Sequence, residues 1–267
     1  MKIYDCFLFN DENKILEIRL NILNQYVDHF VIIESKFNHQ GKFKGQKIDK
    51  KILKQFGNKI KYIYHEEFDD KKTSWELENH QRNLINLGLK NCTPEDIVIV
   101  SDLDEIPNLE HVKFNKIQNQ IIAFKQLNSM YKLNLIRDYS WLGTKMCKFK
   151  TLGSPQWLRD IKVHKKYPTY RVDKIFFSKK YYHNFEIIEK GGWHFGWIRN
   201  ETEITEKLNS FAHIELNKLE FNNLYINNCI KNNINFLDKK KLEKIDLTLM
   251  PFYIQENIEK YKDILFL

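Results

Sequence analysis

Ile97, Val98, Ile99 and Val100 are four consecutive apolar β-formers with no polar residue between them. Such a run suits a strand buried on both faces, and strands of that kind belong to parallel sheets covered by helices. The segments before it agree. Lys2–Phe9, His29–Ser35 and Lys59–Glu67 read as strands. Glu12–Val27 has apolar residues at Ile15, Ile18, Leu20, Ile22 and Leu23, and Trp75–Leu89 has them at Leu77, Leu84, Ile85 and Leu87, so both read as amphipathic helices. The order strand, helix, strand, loop, strand, helix, strand predicts an α/β sheet of the doubly wound type. After Asn108 the pattern changes. Gln120–Ile136, Arg171–Ile188 and Gly191–Ile198 read as strands, and the chain beyond about residue 200 reads as helical.

The apolar run ends in acid: Asp102, Asp104 and Glu105. In an open α/β sheet, ligands sit at the carboxyl ends of the strands, and this cluster falls there. If the segment is extended, Asp102 and Asp104 face one side and Leu103 the other. Carboxylates gathered at one site stay ionised only when a cation offsets their repulsion. Mg²⁺ or Mn²⁺, hard cations that combine carboxylates with substrate phosphate oxygens, would do so. The competing reading is a solvated acidic turn, which is common.

Three further stretches stand out. In Gly191–Trp197, two glycines permit close backbone approach or positive φ, and Trp193 and Trp197 flank Phe195 and His194. That is either ordinary aromatic packing, or a metal-binding or diphosphate-binding histidine with Trp193 as a flat platform for a sugar. In Glu78–Asn83, Arg82 suits bidentate pairing with phosphate or carboxylate. Ser210–Glu215 places His213 and Glu215 on a predicted helix. For Arg82 and for Ser210–Glu215 the plain alternative is an exposed helix face.

The net charge of +8 would attract an anionic ligand and leaves peripheral membrane contact open. No basic helix, zinc motif or RNP-like sequence supports a nucleic-acid partner. Cys6, Cys92, Cys147 and Cys229 are widely spaced without a CxxC, as reduced thiols of a cytoplasmic protein would be. No apolar stretch is long enough to make a transmembrane segment.

Seven pieces in order, Tyr4–Leu23, Val27–Lys44, Trp75–Asn83, Asp96–Asn108, Gly191–Trp197, Lys207–Glu215 and Leu249–Asn257, resemble glycosyltransferase family 17 in its compact microbial form. The resemblance covers nearly the whole chain. It implies a GT-A fold, a Rossmann-like nucleotide-sugar-binding sheet with a helical C-terminal appendage. One domain over 1–267 would have a nucleotide-binding half (1–110), an acceptor-side half (111–200) and a helical segment (201–267). It also implies inverting transfer of a sugar, with UDP-GlcNAc the expected donor, to a glycan hydroxyl. Carried over, Asp104, Asp102 and His194 would hold the metal. Glu78, Arg82, Asp102 and Asp104 would contact the donor, and Glu34 and Ser35, from their place at the end of the second strand, and Trp193, from its flat ring, are read as further donor contacts. Asp102 and Glu215 would be the catalytic carboxylates, with Glu186, Glu189 and Asp160 as other choices for the base. Rival readings are a metal-dependent phosphohydrolase or nuclease using the same acidic cluster, and a non-catalytic nucleic-acid-binding protein.

Overall fold

A computed structural model describes residues 1–163, 182, 184–210 and 222–267. Its strands, in chain order, are β1 (Ile3–Phe9), β2 (His29–Ser35), β3 (Ile60–His65), β4 (Ile97–Asp102), β5 (Glu105–Pro107), β6 (Ile121–Phe124), β7 (Gln126–Met130), β8 (Lys132–Trp141), β9 (Lys145–Lys148), β10 (Phe185–Ile188), β11 (Gly192–Gly196) and β12 (Glu243–Lys244). The helices used below are α1 (Asn13–Leu23), α2 (Lys50–Phe56), α3 (Ser74–Asn83), α4 (Ile85–Gly88), α5 (Pro155–Asp160), α6 (Glu201–Ser210) and α7 (Asn223–Lys231).

Seven strands form the first sheet in the order β10-β6-β9-β4-β1-β2-β3. The β3-β2-β1-β4 half is parallel throughout, as the continuous apolar runs predict. Both of its faces are buried. Ile97 and Ile99 join the core on the α1 side, while Val98 and Val100 join a second core with Ile85 and Leu158 on the other side. Strand β9 pairs antiparallel with β4 and β6 and turns the sheet from parallel to mixed. The α/β expectation therefore holds. Of the predicted strand Arg171–Ile188, Phe185–Ile188 is seen as one, and 171–181 lie outside the described residues.

A second sheet of five strands runs in the order β12-β8-β7-β11-β5. The acidic segment is the hinge between the two sheets. β4 belongs to the first sheet, Leu103 and Asp104 turn, and β5 enters the second. Strand β11 lies against β5, with His194 opposite Glu105. Gly192 is required by that approach. A Cβ on Gly192 would sit 2.2 Å from the Ile106 carbonyl oxygen, and Gly192 also has φ +127°.

Helix α1 buries Ile15, Leu16, Ile18, Leu20 and Leu23 as its period demands, and it also buries Arg19. The predicted second helix is broken near Leu84 into α3 and α4. A Thr73–Glu76 capping box starts α3. The helical C-terminal segment follows through α6 and α7 and is anchored to the main core, where Met250, Ile254, Tyr261 and Leu265 are buried.

Arg19 joins these parts. Its side chain is fully buried. Nε donates to Asp5 Oδ2 at 2.8 Å, and Nη2 donates to Asp5 Oδ1 and Ser101 Oγ at 2.6 Å each. Nη1 donates to the carbonyls of Asp102, Leu103 and Glu105 at 3.0, 3.1 and 2.9 Å. Helix α1, strand β1 and the acidic hinge are thus pinned to one guanidinium. Removing one partner of such a pair leaves the other charge buried and uncompensated. Arg19→Met is expected to cost about 3–5 kcal/mol in urea unfolding. A loss under about 1 kcal/mol, the range of an exposed ion pair, would contradict this role.

Candidate active site

The carboxyl ends of β1, β2 and β4 open on a cleft of about 160 Å³. Asn10, His39, Asp102 and Asp104 come to its wall from the carboxyl ends of those strands and the loops after them, Arg82 from α3 and Lys207 from α6. Asp102 and Asp104 do border one cleft, although the chain is turning there and is not extended. Leu103 between them is buried, as expected.

The two aspartates have opposite surroundings. Asp102 is already neutralised by protein. Its Oδ1 accepts from Arg82 Nη2 at 3.1 Å, and its Oδ2 from Arg159 Nη2 at 2.7 Å. Burial acts to raise the Asp102 carboxyl, but Arg159 and Arg82 overcome it and hold the group well below the usual carboxylate range. So the cation inferred from the acidic cluster is, for Asp102, a pair of arginines. Asp104 has no such partner among the described residues. Burial pushes its carboxyl up, against the pull of His194 and Lys207.

His194 faces Asp104, with Nε2 3.7 Å from Asp104 Oδ2. Its other nitrogen, Nδ1, lies 3.0 Å from Asn128 Oδ1. An amide oxygen only accepts, so Nδ1 donates in that contact and Nε2 is the nitrogen turned toward the carboxylate. The gap is too long for a hydrogen bond. An imidazole nitrogen and a carboxylate oxygen facing across it, with the second nitrogen of the histidine hydrogen-bonded, are ligand types that fit a divalent cation. Each Asp102 oxygen accepts one arginine N–H and keeps a second lone pair, so Asp102 would join such a site as a carboxylate shared with Arg82 and Arg159. Among the described residues no three His, Cys, Asp or Glu side chains converge as a ligand group, so substrate oxygens would complete the shell.

The other predicted residues divide. Glu78 lines the cleft and holds Arg82 Nη2 at 2.7 Å. Glu34 is fully buried and holds its own loop, accepting from the Lys47 backbone N–H at 2.5 Å and Tyr62 OH at 2.7 Å. Ser35 is buried within β2. Trp193 turns away from the cleft, and its indole N–H donates to the Leu249 carbonyl at 2.9 Å. Glu186, Glu189 and Asp160 are not on the cleft wall. Glu215 and His213 lie outside the described residues.

Sequence reasoning missed Arg19, Arg159, Trp141 and Lys207. For Arg19 a signal existed: one acid, Asp5, inside an apolar strand and one base inside the apolar stripe of the next helix. Arg159 and Trp141 carry no local signal, because they meet the hinge from 54 and 36 residues away.

The two aspartates should therefore answer opposite ways to neutralisation. Asp104→Asn removes a half-buried carboxylate that no arginine meets and is expected to raise the melting temperature of the ligand-free protein at pH 7. Since Asp104 titrates above its unfolded value, wild-type stability contributed by the protonated form is lost as pH rises, so the gap to Asp104→Asn should widen from acid to neutral pH. Asp102→Asn should lower stability at pH 7, by about 1 kcal/mol after allowance for a side chain 39% exposed, and the loss should shrink toward acid. Equal shifts of one sign in both variants would contradict the asymmetry.

The profile of glycosyltransferase family 17 matches residues 1–265. The chain is 25% identical over 143 residues to the β-1,4-mannosyl-glycoprotein 4-β-N-acetylglucosaminyltransferases of Rattus norvegicus and Homo sapiens, 49% of this chain and 27% of each relative. The matched part thus spans about a quarter of those relatives' length. Among solved structures, HddC from Yersinia pseudotuberculosis aligns at TM-score 0.37 and 15% identity over 70% of this chain and 90% of that one. The galactosyltransferase LgtC, in complex with donor and acceptor sugar analogs, aligns at TM-score 0.32 and 12% identity over 55% and 58%. With a profile matched over nearly its whole length, the chain belongs to glycosyltransferase family 17.

Proposed function

We propose that this glycosyltransferase moves N-acetylglucosamine from UDP-GlcNAc to a hydroxyl of a glycan acceptor, with inversion at the anomeric carbon and with Mn²⁺ or Mg²⁺. The observation that carries this reading is the pairing of Asp104, on the cleft wall, with His194, which does not itself line the cleft but brings Nε2 to 3.7 Å from Asp104 Oδ2. The N-acetylglucosaminyl group rests on the names of the similar mammalian enzymes.

Each residue of the site has a physical task. A divalent cation, when bound, supplies Lewis-acid stabilisation for the leaving diphosphate. Asp104 and His194 would hold it. Arg82, whose Nε is buried without an acceptor among the described residues, and Lys207 give the cleft wall positive charge for an anionic donor. Asp102 acts on the donor side by fixing Arg82 and Arg159. The acceptor hydroxyl must lose its proton to a base on the opposite face of the sugar. Glu215 is our choice for that base. No helix among the described residues is long and apolar enough to cross a membrane, and the four cysteines are free thiols, which suits a cytoplasmic enzyme.

Thermal melts with UDP-GlcNAc and Mn²⁺ together should show stabilisation, about 2.7 kcal/mol at a hundredfold excess over Kd. Either component alone should give less. Asp104→Ala should remove the metal-dependent part of the shift and UDP release. A screen across nucleotide sugars should give the highest release with UDP-GlcNAc. A shift with an oligonucleotide and with no nucleotide sugar would sink the proposal.

A further inference from the structure

Glu105, next to the two aspartates, has no task in the function proposed above, yet it is the most completely engaged carboxylate of the hinge. It is fully buried. Four N–H groups converge on it. The backbone N–H of Asp102 reaches Oε2 at 3.0 Å, and Trp141 Nε1 reaches Oε1 at 2.7 Å. Arg159 binds it as a fork, Nη1 to Oε2 at 2.7 Å and Nη2 to Oε1 at 2.8 Å. Two of those partners lead to the two halves of the site. Arg159 Nη2 also holds Asp102 Oδ2. Trp141 lies flat on His194, with ring centroids 4.2 Å apart and planes 18° apart.

We infer that Glu105 is a positioning residue that sets Asp102 through Arg159 and His194 through Trp141, so that the arginine-held Asp102 and the histidine facing Asp104 share one anchor. His194 is then fixed at its edge by Asn128 and on its face by Trp141, leaving Nε2 toward Asp104. The backbone is arranged around this carboxylate. A Cβ on Gly143 would stand 2.0 Å from Glu105 Oε1 and 2.1 Å from Cδ. Gly143 has no left-handed φ, so space for Glu105 is what its missing side chain provides. Glutamine cannot replace the glutamate. All four partners donate, and a carboxamide offers one acceptor oxygen and an NH₂ with nothing to receive it.

The test uses the whole chain as wild type, Glu105→Gln, Gly143→Ala and Trp141→Phe. Gly143→Ala displaces Glu105 by contact while leaving every charge in place. Trp141→Phe keeps a ring on His194 but breaks the link to Glu105. The kinetic arm rests on the glycosyltransferase reading: UDP release from UDP-GlcNAc should fall about 10- to 100-fold in kcat for Glu105→Gln and Gly143→Ala, with less change in donor KM. Asp102 is held by Arg82 as well, so donor binding survives in part. The second arm needs no substrate. In the ligand-free wild type the His194 ring protons should be shifted by the stacked indole, and the Trp141 indole N–H should resonate as one bonded to a carboxylate. Both signatures should move in Glu105→Gln and Gly143→Ala, and the His194 signal should move in Trp141→Phe. A purely structural Glu105 would lower the melting temperature of the folded variants without moving the His194 signal or the kcat. That result in Glu105→Gln or Gly143→Ala, whichever folds, overturns the inference, while Trp141→Phe, which replaces the stacked ring itself, calibrates how far the His194 signal can move. Absence of UDP release from the wild type with His194 signals that shift as described would fail the function and leave the positioning role standing.

Discussion

Everything at the cleft depends on one buried ion pair, Arg19 with Asp5. Two fully buried charges cost desolvation energy that is offset only when every donor is used. Here every nitrogen of the guanidinium is used, and three of the acceptors are carbonyls of the hinge that carries Asp102 and Glu105. The Phe7 ring adds a face 4.5 Å from the guanidinium carbon. The consequence is that the turn between the two sheets, which its own residues would leave to solvent, has its backbone set from inside the core. The acidic side chains project from a fixed frame.

That frame sorts like charges by the cations it brings to each. Asp102 and Glu105 are met by Arg82 and Arg159 from two helices. Asp104 is met by none at hydrogen-bond distance among the described residues and faces His194 instead. Repulsion at this cluster is thus relieved by arginines at two carboxylates, and the third, Asp104, is the one that faces His194 Nε2. A preorganised binding position is expected to have this form, a polar group that stays under-satisfied until its ligand arrives. Glu12 shows the same logic at the cleft's rim, where burial is overcome by Lys207 and Arg199 and the carboxyl is held low.

The parts of this architecture that were legible in the sequence are those governed by local periodicity. The apolar runs around Phe7 and Ile32, and the run from Ile97 to Val100, were readable as strands because a strand buried on both faces admits no polar alternation. Asp102 and Asp104 could then be placed at a strand end. The glycines at Gly191 and Gly192 were also readable as a close approach. What stayed hidden were the partners. Nothing near Asp102 in the chain announces Arg159, since the helix that carries it lies far along the chain and meets β4 only through the tertiary fold. Trp193 looked like a sugar platform beside His194, but adjacent residues of a strand point to opposite faces, and the ring on His194 is Trp141. Glu34, at the end of an apolar strand, looked available for a ligand, whereas the loop after it folds back to hold Oε1 through Lys47 N–H and Tyr62 of β3 holds Oε2.

The central claim is that Asp104 and His194 hold the metal and donor diphosphate while Asp102 stays with its arginines. A crystal structure with Mn²⁺ and UDP, read by the anomalous signal of manganese, tests it most directly. The expected result is one peak between Asp104 and His194, bridged to diphosphate oxygens, with Asp102 still bonded to Arg82 and Arg159. A peak centred on Asp102 with its arginines displaced, or a UDP–Mn²⁺ complex bound away from Asp104 and His194, would contradict it.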